Sequence, residues 1–140
     1  MKIQNLADGQ STSAQVGSPN TGIVLKAVTG SVVASTADIQ VRLQVTFQNS
    51  IWATFTAQLI TAGNQNEFAF AVGTPASPIG QATINGGTIG DTYGLCAALS
   101  PDMSFNDQIT VKLTTLPSGS VGTFSSCKIW YVDRKAKAAP

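Results

Sequence analysis

Asp102 and Asp107 flank a Met-Ser-Phe-Asn stretch, Asp91 lies upstream in a Gly-rich segment, and Glu67 is the sole glutamate of the chain. A pair of carboxylates held at the right separation is what glycoside hydrolysis requires, one as acid and one as base or nucleophile. Aspartates in loops like this one more commonly fold back onto their own backbone as turn caps. The D-x-[DN]-x-[DN]-G spacing of a calcium loop is absent. The chain also has no histidine. That removes the commonest general base and zinc ligand, and with them every Ser-His-Asp or Cys-His arrangement. Cys96 and Cys127 form no C-x-x-C pair, so a zinc site is not expected. They sit in the apolar runs "YGLCAAL" and "SSCKIWYV" and read as buried thiols, with a strand-to-strand disulfide left open. "NGGTIGD" is Gly-rich but lacks the lysine and the strand-to-helix setting of a phosphate cradle, so it reads as a hairpin turn. No catalytic, cofactor-binding or metal-binding residue emerges, and the expectation is a protein that is not an enzyme.

What remains are groups suited to contact. Arg42 is the one basic residue on the polar side of "DIQVRLQVTFQ", and arginine is enriched at interfaces. Alternation along "IWATFTAQLI" sets Trp52 with Thr54, Thr56 and Gln58, opposite Phe55. A tryptophan on a polar face can stack on a sugar, pack on a neighbouring subunit, or lie under a loop or arm of its own chain. Arg42 and Trp52 are therefore the expected subunit contacts. In "CKIWYV", the large residues 129–132, Trp130 among them, imply a strand covered on both faces. Lys128, Arg134, Lys135 and Lys137 place four of the eight basic residues near the C-terminus. A short basic tail is usually a solvated end. Arg134, Lys135 and Lys137 are nonetheless the candidates for a weak nucleic-acid or partner contact.

The elements that must carry these groups are strands. In residues 38–48, Ile39, Val41, Leu43, Val45 and Phe47 alternate with Gln40, Arg42, Gln44, Thr46 and Gln48, the period of a half-buried strand. "QNS" at 48–50 turns this strand into the next, a hairpin. "QITVKLTTL" alternates in the same way, and "GIVLKAVTGSVVAS" is Val- and Thr-rich, with Thr29-Gly30-Ser31 expected to split it in two. "EFAFAVG" and "TFSSCKIWYVDR" add further strands, and Asn85-Gly86-Gly87 is the strongest turn signal. About eight or nine strands at this spacing point to a sandwich or barrel. The one place where a short helical turn is allowed is 98–107, started by Ser100-Pro101-Asp102. The fold class expected is all-β, an antiparallel β-sandwich, specifically a single eight-stranded jelly roll. The divisions expected are 1–22 as an N-terminal arm or connector, 23–134 as the sandwich, and 135–140 as a flexible C-terminal tail.

Length and composition agree. A chain of 140 residues suits one domain. Only 11% of residues are charged, against about 25% in ordinary soluble domains, so the polar surface is built from Ser, Thr, Gln and Asn. Such a surface loses little on desolvation and suits contact. The net charge is +1, which gives no field for nucleic acid. The N-terminal segment lacks the apolar core of a signal peptide, and no run approaches the about 18 apolar residues of a membrane span.

The Gly/Ser/Pro-bearing stretch 1–22, the Thr/Val/Gln strands, the missing histidine and the tail "DRKAKAAP" together resemble the small single jelly-roll capsid proteins of icosahedral viruses, especially the minor-capsid or penton-type proteins of tailless bacteriophages. The resemblance covers about residues 20–134 and carries over no functional residue. The N-terminal arm departs from it in lacking the arginine run of genome-binding arms. The resemblance implies a virion structural protein, made in the host cytoplasm, without cofactor. Its partners would be further copies of itself and other capsid proteins. The alternative is a carbohydrate-binding or host-recognition sandwich module, or a head decoration protein.

Overall fold

The computed structural model describes residues 2–19, 21–34, 38–56, 65–73, 80–84, 87–92, 95–96, 104–116 and 122–133. Twelve strands follow in chain order: β1 (Lys2–Asn5), β2 (Thr12–Val16), β3 (Ile23–Ala34), β4 (Gln40–Phe47), β5 (Ser50–Thr56), β6 (Gln65–Gly73), β7 (Gly80–Ile84), β8 (Gly87–Thr92), β9 (Leu95–Cys96), β10 (Ser104–Phe105), β11 (Ile109–Leu116) and β12 (Gly122–Asp133). No helix occurs among the described residues. The strands form two sheets. Sheet A runs β1-β12-β3-β6-β9, with β10 also paired to β3. Sheet B runs β2-β11-β4-β5-β7-β8. Every pairing is antiparallel except the short contact of β9 with β6. The molecule is an all-β, antiparallel sandwich.

The pairings are nested. β4 pairs with β5, β3 with β6, β2 with β11, and β1 with β12. Successive nested pairs alternate between sheet B and sheet A. The innermost pair is a local hairpin. Gln48 and Asn49 both have positive φ, 51° and 64°, between the paired residues Phe47 and Ser50. That is the two-residue turn whose twist matches a hairpin. β7 and β8 pair with each other, with Ile84 opposite Gly87, and extend sheet B beyond β5; Asn85-Gly86, part of the expected turn, lies outside the described residues.

The core lies between the sheets. Val41, Leu43 and Val45 of β4, with Ile109, Val111 and Leu113 of β11, are buried on one side. Ile23, Leu25, Val28 and Val32 of β3, with Phe124 and Ile129 of β12, close it from the other. Phe55 of β5 and Phe70 of β6 meet across the layers with ring centroids 6.5 Å apart. Each such side chain removed from water contributes about 1.5–3 kcal/mol, which is why the period-2 pattern of these strands dictates the sandwich.

Three expectations change. Residues 2–16, read as an arm, form β1 and β2, edge strands of sheets A and B. Between them Leu6 is buried and its amide bonds Cys127 O at 2.9 Å, while Gly9 and Phe124 exchange two backbone hydrogen bonds. The segment is polar in sequence because an edge strand needs only its backbone and a few apolar contacts to dock. β3 is continuous through Gly30 rather than split there. A side chain at Gly30 would place its Cβ 2.5 Å from the Cys127 sulfur and 3.0 Å from the Phe68 ring. The glycine therefore marks a close approach and not a break. Among the described residues the strands number twelve rather than eight or nine; the additions include β9 and β10, which have two residues each and show no alternation. Of the helical turn allowed at 98–107, 104–105 is β10 and 98–103 lies outside the described residues. Ser18 and Thr21 do close a turn before β3, with the Thr21 amide 3.2 Å from Ser18 O. Gly22 follows at φ +78°, where a Cβ would fall 2.2 Å from Phe105 O.

Candidate functional site

The outer face of sheet B is the polar half of the alternating strands. Its register aligns Ser13, Lys112, Gln44 and Thr54 in one row across four strands. Arg42 lies opposite Thr114, and its Nε donates to Thr114 Oγ1 at 3.1 Å. The guanidinium is thus half-buried and fixed along the sheet. Arg42 and Lys112 are the only charged strand residues on this face among those described for β2, β4, β5 and β11.

Trp52 does not share that face. The β4–β5 register shifts between Val45 and Thr46, so Val45 faces Ala53 while Thr46 faces Ile51, and Trp52 is the extra residue of a β-bulge. Its ring packs against the core and lies edge-on to Phe105 at 5.0 Å. Ile51 takes the outward position and is 58% exposed. A bulge carries no local signal in "SIWATF", because it is set by the pairing with β4. The residue that sequence reasoning missed on this face is therefore Ile51.

Sheet A carries a second surface. The β3–β12 ladder is interrupted between the pairs Ser125–Ser31 and Lys128–Thr29, where Ser126 and Cys127 stand opposite Gly30. Ser126 has φ 54°, a left-handed conformation that costs a non-glycine residue about 1 kcal/mol or more. Beside this bulge lies a hollow of about 390 Å³, lined by Thr29, Gly30, Ser31, Phe68, Ser126, Lys128 and Trp130. The Trp130 indole N–H donates to Thr29 Oγ1 at 2.9 Å, which fixes the ring. Ile3 of β1 stands opposite Trp130 and is 50% exposed.

No family model matches this chain, and neither a curated protein nor a solved structure matches it.

The remaining candidates are placed as follows. Cys127 is a free, buried thiol, and burial pushes its pKa up, which suppresses the reactive thiolate. Asp107 accepts a hydrogen bond from the amide of Gln108 at 2.8 Å, the turn-capping role its loop position predicts. Asp91 is on β8 opposite Gln81, and Glu67 is on β6 opposite Ser31. Among the described residues no three His, Cys, Asp or Glu gather into a metal-holding group, and no helix is long and apolar enough to cross a membrane. Asp102, Arg134, Lys135 and Lys137 lie outside the described residues.

Proposed function

We propose that this protein is a virion structural protein, a jelly-roll capsid subunit of the major, minor or penton kind that assembles with its own copies and works without catalysis. The observation that carries the reading is the nesting of strand pairs, β4–β5 inside β3–β6 inside β2–β11 inside β1–β12. A two-stranded ribbon rolled onto itself gives this order, and its eight strands make the two Greek keys of a jelly roll. The β7–β8 pair and the two-residue strands are then additions to that eight-stranded frame.

A fold does not choose a function by itself. Support for assembly comes from the outer face of sheet B. It is poor in charge, Arg42 is already held against Thr114, and Ile51 stands exposed further along the same face, opposite Thr46. A pre-ordered arginine and an exposed aliphatic side chain among hydroxyls and amides suit an interface, because little entropy and little desolvation oppose contact. Arg42 and Ile51 are the contact residues in this reading. Trp52 contributes by holding the bulge that turns Ile51 outward.

Solution mass by size-exclusion chromatography with light scattering, over a concentration series, tests the reading. A pentamer, trimer or larger closed assembly is expected, and Ile51→Asp should shift it to monomer without changing the far-UV circular dichroism. A wild-type chain that stays strictly monomeric at high concentration overturns it.

A further inference from the structure

We propose that the hollow beside Trp130 is a carbohydrate site that takes one pyranose ring of a glycan. The proposal stands whether or not the chain assembles. A pyranose has a face of C–H groups and a rim of hydroxyls that both donate and accept. The hollow, of about 390 Å³, matches this with one aromatic wall and a rim of Thr29, Ser31, Ser126 and Lys128. Its volume falls within the about 300–1,000 Å³ of small-molecule sites.

The site is built rather than incidental. The bulge opposite Gly30 holds Ser126 at φ 54°, at the rim, and residues held in such conformations concentrate at binding sites. Trp130 is pinned by its hydrogen bond to Thr29, so stacking requires no reordering of the ring. The Thr29 oxygen accepts that bond and keeps its own proton to donate. Lys128 adds an ammonium with three donors.

Other ligand classes fit less well. A wholly apolar ligand would leave the rim hydroxyls without partners. A nucleic-acid strand needs a cationic track, yet the rim has one lysine. A sugar hydroxyl can accept from that ammonium and exchange hydrogen bonds with the rim hydroxyls.

The test is saturation-transfer difference NMR of the full chain with a panel of neutral, acidic and N-acetylated hexopyranoses, with mononucleotides as a second panel. One or more sugars should bind with millimolar affinity, with the strongest transfer to the protons of one ring face. Trp130→Ala should weaken binding by about tenfold or more, and Trp130→Phe, which keeps an aromatic ring but loses the hydrogen bond to Thr29, should weaken it less than Trp130→Ala does. Thr29→Val, which frees the indole at nearly constant volume, should weaken binding with the fold intact by circular dichroism. The proposal is overturned if no sugar binds, if binding survives Trp130→Ala, or if a nucleotide binds more tightly than every sugar.

Discussion

Trp52 of β5 meets Phe105 of β10 edge-on, with ring centroids 5.0 Å apart and planes at 81°, and the two strands belong to opposite sheets. Phe105 also lies 5.2 Å from the Phe47 ring and is only 4% exposed. One aromatic side chain on a two-residue strand therefore closes this end of the sandwich. Phe105→Ala should cost about 3–5 kcal/mol, the usual range for emptying a buried aromatic site. In urea denaturation the midpoint should fall, and native emission should move to the red as Trp52 is wetted. Unchanged emission with a Trp130→Phe background would show that Phe105 does not shield Trp52.

Gly30 and Cys127 compete for one volume. Gly30→Ala should destabilise by about 1–3 kcal/mol, as overpacking does, since its Cβ would stand 2.5 Å from the sulfur. Adding Cys127→Ala removes that sulfur, so the double variant should recover part of the loss. Contacts to the Phe68 ring and the Cys127 backbone remain, at 3.0 Å and 3.1 Å, so recovery should be incomplete. A double-mutant cycle from thermal or urea melts reads the coupling, and strict additivity would contradict the geometry.

The Gln48-Asn49 turn holds two non-glycine residues at positive φ. Asn-Gly is the preferred pair for this turn. Replacing Gln48-Asn49 with Asn-Gly should therefore raise stability by about 1 kcal/mol, from relief of the left-handed penalty. The urea midpoint should rise with no change in the slope of the transition. A lower midpoint would mean that the turn is not of this type.

Lys2 and Asp133 form an ion pair that ties the first strand to the end of the last. The hydrogen bond to Asp133, and then its charge, raise the Lys2 pKa above 10.5. A raised lysine pKa means that the folded state holds the proton more tightly. The contribution is full below pH 10.5 and is lost as pH climbs through the higher folded value. Lys2 is 60% exposed, so added salt should weaken the tie. The Ile3 methyl resonance, followed by NMR through an alkaline titration, should hold steady to that point and then move. Lys2→Met should abolish the step.

The sequence by itself determined the class of this protein and much of its core. Ile39, Val41, Leu43 and Val45, and Ile109, Val111 and Leu113, are all buried as their alternation requires. The turn between Phe47 and Ser50 falls where the polar "QNS" sits. These features are local, because side-chain direction in a strand follows from the two preceding residues and a tight turn from its own backbone. Tertiary structure alone decided the rest. It put residues 2–16 on the edges of both sheets, turned Ile51 outward and Trp52 inward, and opened the hollow where Ser126 and Cys127 stand opposite Gly30. Each of these depends on register against a strand paired across the fold. One extra residue in such a ladder reverses the faces that follow it, and no periodicity within a single strand records where that residue falls.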